Sequence, residues 1–328
     1  MQNTIQQKKI FPSFGWWKLV VFVLAVGGLY YQVFLNKNLN STWTEFQNSI
    51  SSHALILTVL VFLLMILNWT LEVIRWKSVL NKVEDVKFLP ALKATLCGVT
   101  FAMFAPNRVG EYAGRVLFLE DISRWRVFVV TTIVVFAQIL CTIFFGTTGF
   151  IYTLFSSELF DGNVYVEWTV VVLLTITVVM LFILYFNISV IENLLEKFSF
   201  LNRIKIYLRV LLNYSYRELL RVFGLSAIRF SIFVLQYFLL LHIFNIELPV
   251  VSGVAMICSI FLVQTIIPSV AIVELGIRGN VALFFLTPFS ENEIGIVSAA
   301  WALWLINLVI PAILGMILIL TPRFKNSK

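Results

Sequence analysis

CGVTFAMFAPNRVGEYAGR, residues 97–115, begins as an apolar run, reaches Pro106, and then carries Arg108, Glu111 and Arg115 among Gly110 and Gly114. Proline lacks the N–H that a continuing helix needs, so the chain is expected to turn there. Asn107 follows the proline and suits the cap of a new helix. On that helix Glu111 and Arg115 lie four apart, with the glutamate first, the better order for a pair on one face. In water such a pair contributes about 0.2–0.5 kcal/mol. At the centre of a bilayer each charge costs about 2.5–3.5 kcal/mol, so there the pair must face protein or a wet cavity.

The arrangement recurs. CSIFLVQTIIPSVAIVELGIRG, residues 258–279, has an apolar run, Pro268, the capping residue Ser269, then Glu274 and Arg278 with Gly276 and Gly279. A true internal repeat and a chance likeness in a small alphabet both fit. Each pair is either part of a substrate site or a bridge that locks its own hairpin. A helix amino terminus after each proline offers free N–H groups and a positive dipole end, which suit a phosphate. The glycines permit close approach of backbone or headgroup.

Working outward, apolar runs long enough to cross a bilayer lie at about 16–34, 54–74, 127–153, 164–187, 222–244 and 294–320. The two broken stretches lie at about 88–118 and 250–288. Charged residues are only 12% of the 328, hydrophobic ones 60%, and there are 31 phenylalanines and nine tryptophans, as for lipid-facing surfaces and interfacial belts. The fold class is therefore an all-α polytopic membrane protein: about six full spans and two re-entrant broken-helix hairpins, forming an inverted repeat. The whole chain, 1–328, reads as one integral membrane domain with tails at 1–15 and 321–328 and an amphipathic linker at 188–221. A plain solvated linker fits that segment equally.

Basic residues set the orientation. Lys8, Lys9 and Lys18 precede the first run, Arg75, Lys77, Lys82 and Lys87 follow the second, and Arg203 to Arg221 separate the fourth and fifth. The opposite loops carry Glu158, Asp161, Glu247, Glu291 and Glu293. By the positive-inside rule both termini are cytoplasmic in a bacterial-type plasma membrane. The stretch at 88–118 then enters and leaves from the cytoplasm, and that at 250–288 from outside. If either crosses, the loop assignment changes.

The net charge of +7 is spread between spans and forms no compact basic stripe, so nucleic acid is excluded as a partner. Cys97, Cys141 and Cys258 stand singly, and His53 and His242 are isolated, so no metal site, catalytic cluster or cofactor is expected. The apolar run after Trp17 lacks the small-residue cleavage site of a signal peptide. Of the other polar residues in spans, Glu72 and Arg75 are expected to snorkel at the interface. Arg229, about two turns into its run, either lines the cavity or snorkels. Gln138, Gln236, Gln264 and Asn307 complete the set.

The run FAPNRVGEYAGRVLFLE, with its Pro-x-Arg-x-Gly-Glu core, resembles the transmembrane region of the lysylphosphatidylglycerol synthase family, the flippase part of the multiple peptide resistance factors. The later IIPSVAIVELGIRG run resembles that family's second Pro…Glu element. The resemblance implies a lipid-translocating fold with inverted repeats and re-entrant helices. It matches at Pro106, Arg108, Gly110 and Glu111, and again at Pro268, Glu274 and Gly276. It departs at Val270, Ala271 and Ile272, where a Pro-Gly-Gly-like motif is common in the family. The family's cytosolic aminoacyl-transferase domain is not expected, since about eight residues follow the last run.

The substrate-binding residues expected are Pro106, Asn107, Arg108, Gly110, Glu111, Arg115, Arg229, Pro268, Ser269, Glu274, Gly276 and Arg278. The arginines would attract an anionic headgroup, and the two glutamates would pair with a cationic group or carry protons. The partners are membrane lipids, with a separate lipid-modifying enzyme and a second copy in a homodimer as further candidates. The leading function is a lipid flippase, and no enzyme. An intramembrane transferase, with Glu120 and Asp121 as its only acidic pair beside a motif, and a non-catalytic partner subunit are the alternatives.

Overall fold

The computed structural model describes residues 54–105, 109–117, 123–156, 163–187, 214–267 and 271–320. They are helical throughout their regular parts. In chain order the helices are α1 (Ala54–Leu80), α2 (Phe88–Phe104), α3 (Gly110–Leu117), α4 (Arg124–Ser156), α5 (Val164–Phe186), α6 (Tyr216–Ile243), α7 (Val250–Ile266), α8 (Ala271–Leu286), α9 (Glu293–Trp304) and α10 (Ile310–Leu320). A π turn over Leu305–Val309 joins α9 to α10 into one rod. Pro311 removes the donor that would bond to the Asn307 carbonyl, and the widened turn lies directly before it.

Among the described residues, α1, α4, α5, α6 and the α9–α10 rod are long and apolar enough to cross a membrane. The all-α polytopic fold class holds. The span expected at 16–34, both tails and residues 188–213 of the linker lie outside the described residues. The last residues of the expected linker, Tyr216 to Arg221, instead form the first turns of α6. A capping box starts that helix there: the Glu218 carboxylate accepts from the Ser215 N–H at 2.8 Å. Leu219 and Val222 already face the core.

Helices α1 and α6 form an antiparallel pair at the centre. Gln236 Nε2 donates to the Val61 carbonyl at 3.0 Å near one end, and the Tyr214 hydroxyl donates to the Val79 carbonyl at 2.9 Å near the other. Burial pushes the Tyr214 phenol above its ordinary range. One core surrounds Trp76, Val130 and Leu140 on α1 and α4, and another surrounds Leu241, Ile257, Leu283 and Ile296 on α6 to α9. Helix α5 leaves almost all of its apolar surface outward, with Tyr185 its buried residue.

Both interrupted stretches are helix–break–helix units. Helix α3 folds back along α2 at very short range: a Cβ on Gly110 would lie 2.0 Å from the Phe101 carbonyl oxygen, and one on Gly114 2.5 Å from that of Cys97. Only glycine allows two backbones to approach so closely. Helix α8 folds back on α7, where Arg278 Nη1 donates to Gln264 Oε1 at 3.1 Å. The first arm of each unit packs on a long helix from the other half of the chain. Helix α2 lies on α10, with Thr100 Oγ1 donating to the Ala312 carbonyl at 2.8 Å. Helix α7 lies on α4, with Gly146 and Gly149 set against Cys258.

Candidate functional site: two Glu–Arg pairs and a buried ion cluster

Glu111 and Arg115 fall one turn apart on α3 and form an ion pair through Arg115 Nη2. The same nitrogen donates to Glu72 Oε1 on α1 at 2.5 Å. Glu72 is itself bound by Arg75 Nη2 at 2.5 Å and by Arg229 Nη1 on α6. Arg229 Nε donates to Asn68 Oδ1 at 2.6 Å. Arg75 Nη1 donates to Ser226 Oγ at 2.6 Å and to Gln138 Oε1 at 2.7 Å. One ion cluster thus ties α1, α3, α4 and α6 together. Arg115 stacks over the Trp76 ring at 4.9 Å, and Trp76 is fixed by its own Nε1–H bond to Thr131 Oγ1 at 3.1 Å.

Removing charges from water costs several kcal/mol per ion unless geometry and hydrogen bonds compensate. Here Glu72 has three guanidinium partners, which is ample. Among the described residues the cluster holds three guanidinium groups and two carboxylates, an excess of one positive charge. It also holds unsatisfied donors. Arg115 Nε and Nη1, Arg75 Nε and Asn68 Nδ2 are buried without a hydrogen-bond partner among the described residues.

The second pair is built differently. Glu274 and Arg278 lie one turn apart on α8, 3.6 Å apart and each about one-fifth exposed. Trp304, the last residue before the π turn, donates from Nε1 to Glu274 Oε2 at 3.0 Å. Asn307 is buried inside that turn. Trp69 of α1 packs against the small apolar cluster that holds Trp304, Val99 and Leu308.

The two Glu–Arg pairs expected from sequence both form, and Arg229 joins the first. Gly110, Gly276 and Gly279 are buried. Pro106, Asn107, Arg108, Pro268 and Ser269 lie outside the described residues, as do Glu120 and Asp121. Glu72 and Arg75 correct the expectation of snorkelling: each is 2% exposed. Helix α1 runs on to Leu80, which places both residues in packed protein. Asn68, Glu72 and Arg75 recur at spacings of four and three, one face of a helix, and that spacing is the signal that could have found them.

The chain matches the model of the lysylphosphatidylglycerol synthase transmembrane region over residues 15–315. It belongs to that family. No curated protein matches the chain. Membership in the lysylphosphatidylglycerol synthase transmembrane-region family, with five apolar helices of spanning length among the described residues, makes this a multi-pass membrane protein. Both Glu–Arg pairs fall inside the matched region.

Proposed function

We propose that this protein is a lipid flippase. It passes the headgroup of an anionic or aminoacylated phospholipid, or of a polyprenyl-phosphate-linked lipid, through a cavity between the two hairpins while the tails stay in the bilayer. The observation that carries this reading is the buried cluster of Glu72, Arg75, Arg115 and Arg229, continued by Glu111. Ionised side chains in an apolar body are costly and mark substrate or ion pathways. The family supplies the lipid context.

The packing supports an inverted repeat. Exchanging the halves of the chain maps the α2–α10 contact onto the α7–α4 contact, and maps the antiparallel α1–α6 pair onto itself. Paired broken helices of opposite topology are the pattern of a midplane site in transporters. In this reading both hairpins re-enter the membrane, from opposite faces. Pro106, Asn107, Arg108, Pro268 and Ser269, which lie outside the described residues, belong to the proposed substrate route by their place in the two sequence motifs. Arg115, Arg229 and Arg278 attract the headgroup, and Glu111 and Glu274 pair with a cationic group or carry protons. The chain acts without a catalytic group or cofactor, in a bacterial-type plasma membrane with both termini cytoplasmic. Membrane lipids are its partners, alongside a separate lipid-modifying enzyme and a second copy of the chain.

Proteoliposomes test the reading. Headgroup-labelled phosphatidylglycerol, an aminoacylated analogue and a polyprenyl-phosphate analogue are each exposed to an impermeant quencher. Loss of inner-leaflet protection for one lipid is the expected result. Full protection of all three by folded protein contradicts the reading. Topology is tested separately with Asn107→Cys and Ser269→Cys and an impermeant maleimide. The three native cysteines are buried and should give little background. Labelling of the two positions from opposite faces is expected, and labelling from one face contradicts the inverted arrangement.

A further inference from the structure

We propose that Arg115, held within the cluster by Glu72, is the binding site for the phosphate oxyanion of the transported lipid, and that Glu111 is the carboxylate the phosphate displaces. The flippase reading supplies the source of the phosphate, and the site itself is tested by binding alone.

Three observations carry this. First, the cluster has one guanidinium charge more than its carboxylates balance. Second, Arg115 spends a single nitrogen, Nη2, on both carboxylates, while its Nε and Nη1 are buried and have no partner among the described residues. A guanidinium binds phosphate best through two parallel N–H bonds, and either Nε or Nη1 can supply the second one beside Nη2. Third, the two carboxylates are held unequally. Glu72 has three arginine partners and a side chain 3% exposed, whereas Glu111 has one arginine partner and is 17% exposed.

Glu72 is therefore the fixed counter-ion and Glu111 the exchangeable one. Glu111 is also the most exposed of the charged side chains in the cluster, so a ligand reaches Arg115 from its side. Arg115 is pinned against Trp76 and Glu72, so it keeps its position when Glu111 leaves. The phosphate takes the place of the Glu111 carboxylate on Nη2 and recruits a neighbouring unused N–H of the same guanidinium. One anion replaces another, and the site never holds three positive charges against Glu72 alone.

The test is binding to the full chain in maltoside micelles, which contain no phosphate. Dioleoyl phosphatidylglycerol, dioleoylglycerol and inorganic phosphate are titrated against the unfolding midpoint, and retained lipid is counted by native mass spectrometry. Wild type should bind phosphatidylglycerol saturably and dioleoylglycerol not at all. Glu111→Gln, which removes the competing carboxylate, should bind phosphatidylglycerol about tenfold tighter, and Arg115→Gln about tenfold weaker. Glu111→Asp, whose shorter arm withdraws from Arg115, should fall between wild type and Glu111→Gln, and it serves if Glu111→Gln does not fold. Inorganic phosphate binding as tightly as the lipid would keep the oxyanion site and assign it to a free anion. Equal binding of dioleoylglycerol and phosphatidylglycerol would overturn the proposal, as would unchanged or weaker binding by a monodisperse position-111 variant. Binding without translocation would instead remove the flippase reading and leave the site. Translocation without this binding would do the reverse.

Discussion

Arg115 Nη2 donates to Glu72 Oε1 at 2.5 Å across 43 positions of sequence. Helix α3 has only eight residues, well below the length of about 12–15 at which an isolated helix becomes stable in water. It is held in place by this ion pair and by its glycine contacts with α2. Glu72 in turn joins α1 to α6 through Arg229. The ion cluster is therefore a structural joint as well as a place to meet an anion.

Glu72→Gln should be the most damaging single change in the cluster. It leaves Arg75, Arg115 and Arg229 with Glu111 as their one carboxylate partner among the described residues. Breaking a buried pair from one side costs about 3–5 kcal/mol. Thermal unfolding in detergent should show a large fall in midpoint, and a wild-type midpoint would sink the claim that Glu72 holds the joint.

Glu72 and Arg229 should be energetically coupled. A double-mutant cycle with Glu72→Gln and Arg229→Gln should give an interaction energy of about 1–3 kcal/mol, since the residues share one network. Strict additivity would mean that the Glu72–Arg229 ion pair adds nothing to the joining of α1 and α6.

Glycines should sort by the contacts their backbones make. Gly114→Ala places a methyl 2.5 Å from the Cys97 carbonyl oxygen and should cost about 1–3 kcal/mol, as overpacking does. Gly224 has nothing within 4 Å of an added Cβ and sits inside α6, so Gly224→Ala should stabilise by about 0.4–1 kcal/mol. Paired unfolding curves decide this, and equal responses at the two sites would contradict the close α2–α3 packing.

Trp304→Phe keeps an aromatic side chain, though a smaller one, and removes the donor to Glu274. Losing a hydrogen bond to a charged group costs about 1.5–3 kcal/mol, so lipid translocation should slow by about tenfold or more. Trp301 donates to the Leu275 carbonyl from a more exposed position, so Trp301→Phe should have a smaller effect. If the two substitutions behave alike, the Trp304–Glu274 contact is not part of the transport route.

The helices and their breaks were legible because hydropathy and proline act locally. The Glu111–Arg115 and Glu274–Arg278 pairs were legible because both partners lie on one turn. The joint at Glu72 was hidden by the way apolar runs are measured. Glu72 and Arg75 fall where the run fades, so they read as interfacial, yet α1 continues to Leu80. Their partners, Arg115, Gln138, Ser226 and Arg229, lie 40 or more residues away, and no local pattern announces such a meeting. The unequal exposure of the two Glu–Arg pairs was equally out of reach, because α3 meets α1 whereas α8 meets Trp304 of α9.

The most direct measurement is translocation of headgroup-labelled lipid in proteoliposomes by wild type beside Glu111→Gln, Glu274→Gln and the double variant, each checked for insertion and monodispersity. Wild type should expose one lipid class to the external quencher, and each glutamate variant should leave it protected. Wild-type rates from a stably inserted double variant would contradict the account.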